Sequence, residues 1–195
     1  MMGQRTHFRL RHSPAPAMRT GMTKPRTLLV LGGARSGKSR HAQALAEAMT
    51  PTGCFIATAQ AWDDEMRDRI ARHQADRDER WTTVEAPLAL PEAVAEHSRA
   101  DRVLLVDCLT LWLTNLLLGE ADLAAAGDAL VAELANAPGP VVLVSNEVGF
   151  GIVPDNALAR RFRDAQGTLN QRLARVCDAT DLVVAGLPLR LSGEK

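Results

Sequence analysis

The sequence predicts an α/β domain with three layers and a mostly parallel sheet. Two observations support this fold class: the predicted strands are continuous apolar runs, and helical patterns separate them along the chain. Strands with no polar alternation are typical of a sheet that helices cover on both faces. With 195 residues, 46% of them hydrophobic, the chain is long enough to build one substantial core.

The first part of the chain predicts strand, glycine turn, helix and strand. Residues 27–31 form a short apolar run that ends at two glycines, and residues 38–49 follow with a helical pattern. A second apolar run spans 53–57, and the highly charged segment 63–80 predicts another helix. The later elements continue this alternation: an extended piece at 81–85, a helix at 88–99, a strand at 102–107, helices at 109–118 and 121–136, a strand at 140–145, a helix at 156–177 and strands at 182–185 and 187–191.

Charge is distributed unevenly along the chain, although 23 basic and 23 acidic side chains give a net charge of zero. Residues 1–26 contain six basic residues and no acid, which leaves 17 basic and 23 acidic side chains for residues 27–195. We therefore predict a basic, disordered extension at 1–26 and a single catalytic domain at 27–195. We expect residues 1–22 to be dispensable, and the acidic body argues against nucleic-acid binding.

Cysteine usage and hydropathy predict a cytoplasmic protein without a membrane span. The three cysteines, Cys54, Cys108 and Cys177, are far apart and form no C-x-x-C pair. No segment approaches the roughly 18 apolar residues of a membrane helix, and the first 22 residues lack the apolar run of a signal peptide.

The strongest local motif is a phosphate-binding loop between the first predicted strand and helix. It fits the pattern G-x-x-x-x-G-K-[ST], and its residues are Gly32, Gly33, Ala34, Arg35, Ser36, Gly37, Lys38 and Ser39. The glycines allow successive backbone N–H groups to point at phosphate oxygens, and the helix N-terminus adds a partial positive charge. We expect Lys38 to reach the β- and γ-phosphates and the Ser39 hydroxyl to ligate Mg²⁺.

An acid that closes a neighbouring strand commonly helps to hold the magnesium ion of such a loop. Asp107 ends the run 103–106 and is the candidate for this position. The alternative is a surface aspartate that caps the helix beginning near residue 109. The sequence pattern leaves both interpretations open.

The segment after the second strand contains a second candidate group. Thr58, Ala59 and Gln60 follow the strand at the edge where ligands bind in open α/β sheets. Further on, His73 and Arg77 are four residues apart and would share one helix face. An imidazole beside guanidinium groups suits nucleophilic attack on phosphorus, although a histidine on a charged helix is often an ordinary surface residue. We assign that ordinary role to His41 and His97.

These motifs in this order resemble the bifunctional adenosylcobinamide kinase / adenosylcobinamide-phosphate guanylyltransferase family. The similarity runs from about residue 28 to 187 and rests on the segments 32–40, 56–60, 64–66, 69–70, 73, 81–85, 114–116 and 146–149. A phosphate loop alone occurs in many unrelated proteins, whereas the whole series is specific.

The resemblance implies a RecA-like fold and a two-step enzyme. In the first step ATP or GTP phosphorylates the aminopropanol hydroxyl of adenosylcobinamide, with Mg²⁺ as cofactor and Lys38 at the phosphates. In the second step His73 takes GMP from GTP and transfers it to the cobinamide phosphate. The resemblance also implies a homotrimer, and these positions match stretches that bind GTP in the family: Thr58, Ala59, Gln60, Gln74, Ala75, Asp76, Arg77, Glu85 and Asp107.

Some features depart from the family or stay ambiguous. A basic residue commonly follows the histidine, and a proline follows the Arg77 position, whereas this chain has Gln74 and Asp78. The loop 146–154 is either a corrinoid-contacting segment or a structural turn. A simple P-loop small-molecule kinase, in which His73 is a bystander, and a nucleotide-dependent DNA-binding module are the alternative functions.

Overall fold

The protein is described here by a computed structural model that covers residues 26–60 and 78–193. Its elements within these ranges, in chain order, are β1 (Thr27–Gly32), α1 (Lys38–Glu47), β2 (Thr52–Ala57), β3 (Trp81–Glu85), α2 (Leu90–His97), β4 (Arg102–Asp107), α3 (Leu109–Leu118), α4 (Leu123–Asn136), β5 (Val141–Asn146), α5 (Ala157–Val176), β6 (Ala179–Val184) and β7 (Leu187–Ser192).

The seven strands form one sheet in the order β3-β2-β4-β5-β1-β6-β7. Neighbouring strands are parallel from β3 to β6, and only β7 runs antiparallel, against β6. The prediction of a mostly parallel sheet is confirmed. Because parallel strands end at the same edge, the residues that follow β1, β2, β3, β4 and β5 all lie along one carboxyl edge.

The sheet is buried on both faces, as its continuous apolar strands predict. Successive residues of β1 pack into different cores, with Leu29 on one face and Leu28 on the other. The first core contains buried side chains of α2, α3, α4 and α5, whereas the second contains Ala42 and Ala46 of α1. The predicted three-layer arrangement follows from this division.

Two predicted boundaries are wrong. β6 begins at Ala179, three residues before the apolar run at 182–185, because it buries the polar residues Thr180 and Asp181 at about 2% exposure each. The predicted helix 63–80 lies outside the described residues except at its end, where residues 78–80 form a turn into β3. In that turn Asp78 accepts hydrogen bonds from the backbone N–H and the guanidinium of Arg80.

Arg26, the last residue of the predicted extension, is bonded to the body of the domain. Its backbone N–H donates to Asp178 Oδ2 at 2.9 Å, and its guanidinium donates to the carbonyl of Ala137 at 3.2 Å. Arg26 therefore contacts the domain, although it lies one residue before the predicted boundary at 27.

The three cysteine thiols are buried in the domain. Cys54, Cys108 and Cys177 are buried and free. Burial, together with the nearby charge of Asp178, raises the pKa of Cys177 to about 12. Among the described helices, none is long and apolar enough to cross a membrane.

Candidate functional site

The phosphate loop connects β1 to α1 at the carboxyl edge of the sheet, as predicted. Lys38 is the first residue of α1, and the preceding Gly37 has a φ of +93°. This left-handed conformation is strained for residues with a Cβ, so the glycine is required there. Because Gly37 has no side chain to cap α1, the N-terminus of the helix stays open toward an anion.

The interior of the loop contains a lysine and a buried hydroxyl. Lys38 Nζ donates to the carbonyl of Gly33 at 3.2 Å, and the Ser36 N–H donates to the same carbonyl at 3.3 Å. Ser36 Oγ is buried without a hydrogen-bond partner among the described residues. A Cβ at position 32 would lie 2.4 Å from this oxygen and 2.7 Å from the backbone carbonyl oxygen of Val183, so glycine is needed at that position.

The turn between β6 and β7 supports the loop from one side. The Gly186 N–H donates to the carbonyl of Ser36 at 2.8 Å. Ala185 and Gly186 have φ values of +52° and +80°, which suit a tight two-residue hairpin. The hairpin therefore reaches the backbone of the phosphate loop directly.

A buried ionic cluster lies behind this contact. His41 Nε2 of α1 and Asp181 Oδ2 of β6 are 2.8 Å apart, and the Arg190 guanidinium of β7 donates to the same carboxylate. Burial opposes ionisation of Asp181, but the bonds from Arg190 and His41 outweigh it and lower the pKa of the carboxyl. Our interpretation of His41 as an ordinary surface residue is therefore wrong.

Asp107 ends β4 at the same edge as the phosphate loop and is partly exposed. Only β5 separates its strand from β1. The N-cap residue of α3 is Cys108 rather than Asp107, and the Cys108 side chain forms no capping hydrogen bond. Burial, with a smaller contribution from the neighbouring charge of Asp107, raises the pKa of the Cys108 thiol to about 11.

A buried hydrogen-bond network, the Thr58 brace, fixes the backbone beside Asp107. The Thr58 hydroxyl donates to the Cys108 carbonyl at 2.7 Å and accepts from the Cys108 N–H at 2.9 Å. Asn115 Nδ2 donates to the carbonyls of Thr58 and Pro87, each at 2.9 Å. Thr58 lies at the predicted edge of the sheet, but it is fully buried, and its hydroxyl bonds to backbone groups of the protein.

Asn115 lies in the segment 114–116, for which the sequence predicted no individual role. The signal was an amide within an otherwise apolar helix, because such a group needs partners when it is buried. The structure supplies both partners from the loops that follow β2 and β3. Asn115 thereby joins three neighbouring parts of the carboxyl edge.

The remaining predicted nucleotide contacts lie farther along the edge or outside the described residues. Ala59 and Gln60 follow β2 and are partly exposed, and Glu85 ends β3 with an exposed side chain. Glu85 is four strands from β1, which corresponds to about 19 Å across the sheet. The predicted residues at 61–77 lie outside the described part: His73, Gln74, Ala75, Asp76 and Arg77.

The predicted magnesium ligands are chemically suitable. Ser39, which carries a hydroxyl, is the second residue of α1 and follows Lys38. Asp107, which carries a carboxylate, lies two strands away from β1 at the same edge of the sheet. Mg²⁺ prefers oxygen ligands and commonly uses one or two protein groups together with substrate phosphates and water. The described part of the chain contains no cluster of three or more histidine, cysteine or acidic residues that could hold a metal ion.

The chain is similar to curated proteins over most of its length. It is 51% identical over 168 residues to the bifunctional adenosylcobalamin biosynthesis protein CobP of Pseudomonas aeruginosa, covering 85% of this chain and 97% of the relative. It is 43% identical over 179 residues to the bifunctional adenosylcobalamin biosynthesis protein CobU of Salmonella typhimurium, covering 84% and 98%.

Similarity to solved structures concerns the fold. The ATPase EscN of the enteropathogenic E. coli type III secretion system aligns with a TM-score of 0.51 at 8% sequence identity. The alignment covers 83% of this chain but only 43% of EscN. It supports the α/β fold alone.

The family comparison agrees with the phosphate loop and with the curated relatives. Residues 28–191 match the family described as cobinamide kinase / cobinamide phosphate guanyltransferase, designated CobU. The match extends from β1 through β7, so it includes the phosphate loop, Asp107 and the Thr58 brace. The chain therefore belongs to the cobinamide kinase / cobinamide phosphate guanyltransferase family.

Proposed function

We propose that this chain phosphorylates adenosylcobinamide and then transfers GMP to the resulting phosphate. The observation that carries the proposal is an intact phosphate loop, between β1 and α1, inside a family match that spans residues 28–191. Both steps use nucleoside triphosphates: ATP or GTP in the first and GTP in the second.

In the kinase step the phosphate loop binds the triphosphate. The backbone N–H groups of residues 32–39 and the open N-terminus of α1 attract the phosphate oxygens, and Lys38 neutralises charge on the β- and γ-phosphates. Ser39 and Asp107 would hold Mg²⁺, which neutralises further charge on the phosphates when bound. The substrate hydroxyl oxygen bonds to the γ-phosphorus, the bond from that phosphorus to the bridging oxygen breaks, and the nucleoside diphosphate leaves as the hydroxyl proton is lost.

In the transferase step we assign the nucleophile to His73. A neutral imidazole nitrogen attacks the α-phosphorus of GTP, pyrophosphate leaves, and GMP remains bound through a P–N bond. A phosphate oxygen of cobinamide phosphate then attacks the same phosphorus and releases the histidine. The proposed nucleotide contacts for this step are Thr58, Ala59, Gln60, Gln74, Ala75, Asp76, Arg77 and Glu85.

We also propose a cytoplasmic homotrimer. The described chain exposes leucines along its edge strand β7, with exposed fractions of 73% for Leu187, 59% for Leu189 and 53% for Leu191. An assembly of several copies would cover such a row. By contrast Trp112, Leu116 and Leu117 are buried within the subunit, whereas Leu118 is 59% exposed.

Covalent labelling tests the histidine assignment. Incubation with Mg²⁺ and GTP labelled at the α-phosphate should leave acid-labile, base-stable label on the wild-type protein and none on His73→Ala. The same variant should retain phosphorylation of cobinamide by ATP, whereas Lys38→Ala should lose it.

His97→Ala is a matched control, because its histidine lies on α2 and next to the exposed Glu96. It should be labelled like the wild type. Absence of label on a wild-type protein that still phosphorylates cobinamide would favour a simple kinase. Loss of both activities in a folded His73→Ala protein would contradict the separation of roles.

A further inference from the structure

The segment between β5 and α5, residues 147–156, exposes large apolar side chains at the candidate site. In this β5–α5 loop the exposed fractions are 84% for Phe150, 97% for Ile152 and 62% for Val153. No charged residue occurs from position 148 to 154. Exposed apolar groups in one short loop indicate a surface that another molecule covers.

The loop leaves the sheet between the phosphate loop and Asp107. Its strand, β5, lies between β4, which ends at Asp107, and β1, which leads into the phosphate loop. The Glu147 N–H donates to the carbonyl of Gly32 at 3.1 Å, so the first loop residue touches the start of the phosphate loop. Three residues of extended chain span at most about 10 Å, which keeps Phe150 within that distance of Glu147.

Both ends of the β5–α5 loop are anchored by hydrogen bonds. At its start the Glu147 N–H donates to the Gly32 carbonyl, and within the loop Glu147 Oε1 accepts from the Gly149 N–H at 2.6 Å. At its end the Arg160 guanidinium donates to the carbonyls of Pro154 at 2.9 Å and Asp155 at 2.7 Å, and Asn156 caps α5. The apolar side chains therefore project from a segment with fixed attachment points.

The chemistry of the proposed substrate matches this surface. Cobinamide is a wide corrin ring with methyl-bearing faces and uncharged amide arms, and its acceptor hydroxyl lies on one short arm. A hydroxyl that attacks a γ-phosphate held between Lys38 and Asp107 brings the ring close to the same place. The exposed leucines of β7 lie on the opposite side of β1 from Asp107, which makes them a poorer match.

From these observations we infer that the β5–α5 loop is the corrinoid-binding surface, with Phe150 and Ile152 packing against the ring. The inference rests on the proposed function. In this arrangement the loop contacts the corrin ring and not the nucleotide. Substitutions in the loop should therefore weaken corrinoid binding without weakening nucleotide binding.

The test compares full-length Phe150→Ser and Ile152→Ser with the wild type. The variants should raise the Kd for cobinamide, measured by equilibrium dialysis without nucleotide, by about tenfold or more, and raise its KM in the kinase reaction similarly. The KM for ATP and the labelling by GTP in the absence of cobinamide should stay within twofold. Val176→Ser, which removes an exposed valine at the other end of α5, is the matched control and should bind cobinamide normally.

The outcomes separate this inference from the proposed function. Unchanged cobinamide affinity in both variants would overturn the inference even if the wild type is fully active. A reduced molecular mass in solution, accompanied by equal losses for cobinamide and ATP, would also overturn it and identify the loop as an interface between copies. Weaker cobinamide binding by the variants, in a protein whose wild type does not phosphorylate cobinamide, would support the loop and contradict the kinase proposal.

Discussion

On one side of β1 the phosphate loop is supported by charged groups, whereas on the other side the candidate site is held by neutral ones. The first side is the β6–β7 hairpin, where Asp181 bonds His41 and Arg190 at 2% exposure. The second side is the Thr58 brace beside Asp107, where a buried hydroxyl bonds both backbone groups of Cys108.

The two kinds of support should differ in how they respond to pH and to substitution. Removing one member of a buried ion pair leaves the partner charge without compensation, which costs more than the loss of neutral hydrogen bonds. The charged cluster also depends on ionisation of a carboxyl, whereas the brace contains no group that titrates between pH 3 and 8. We therefore expect the charged cluster of the hairpin to contribute more to the free energy of unfolding than the Thr58 brace does. We also expect this contribution to depend on pH.

The largest effect is expected for Asp181→Asn. It should lower the free energy of unfolding by about 3 kcal/mol at pH 7, because it removes the charge that faces Arg190 and His41. The pKa of Asp181 is lowered in the folded protein, so its contribution is present above about pH 4 and is lost as the pH falls through the folded value. Urea denaturation of the wild type and of Asp181→Asn should show that their difference in free energy of unfolding is smaller at low pH than at pH 7.

Asp128→Asn is the matched control for this charge removal. Asp128 also pairs with an arginine, Arg172, but its side chain is 77% exposed. Such surface pairs contribute less than about 1 kcal/mol. Equal costs for the two substitutions, or a cost of Asp181→Asn that stays constant at every pH, would contradict the distinction between the two sides.

The sequence predicted the phosphate loop well because its glycines are required by the backbone itself. A residue with a Cβ at position 32 would meet Ser36 Oγ, and Gly37 has a positive φ, so these requirements are visible in the local pattern. The apolar runs likewise predicted the strands, since a parallel sheet buried on both faces selects them.

The ionic cluster could not be predicted in the same way, because its members come from distant parts of the chain. His41 and Asp181 are 140 positions apart, and their contact depends on β6 lying next to β1. The sequence predicted that the last parallel strand begins at residue 182, after Asp181, because charged residues are seldom buried inside a strand. Asp107 was placed correctly at a strand end, but its neighbours in the Thr58 brace required the order of the strands.

A smaller effect is expected for Thr58→Val, which preserves shape and removes the hydroxyl. The N–H and carbonyl of Cys108 would each lose a buried partner, so we expect a loss of about 2 kcal/mol in the free energy of unfolding. Because the brace is neutral, this loss should be the same at pH 5 and pH 8. We also expect a lower kcat for the kinase step, since the backbone beside Asp107 loses its fixed position.

Two further threonine variants separate the brace from a general effect of threonine loss. Thr58→Ser retains the hydroxyl and should recover most of the kcat and stability. Thr82→Val removes an exposed threonine of β3, whose weak bond to Gly53 is 3.4 Å long, and should change stability by less than about 0.5 kcal/mol. If the loss of stability in Thr58→Val depended on pH, the brace would be coupled to ionisable groups. That result would contradict the proposed difference between the brace and the hairpin.

The smallest expected effects come from glycine-to-alanine substitutions that differ only in backbone conformation. Neither Gly186 nor Gly167 has an atom within 4 Å of an added Cβ, but Gly186 has a φ of +80°, whereas Gly167 lies inside α5. Gly186→Ala should cost about 1 kcal/mol through strain in the hairpin that supports the phosphate loop. Gly167→Ala should stabilise the protein by about 0.5–1 kcal/mol, because alanine favours helix over the unfolded chain. Since space is not limiting at either position, thermal unfolding of the pair isolates the contribution of the hairpin conformation, and a destabilising Gly167→Ala would refute this explanation.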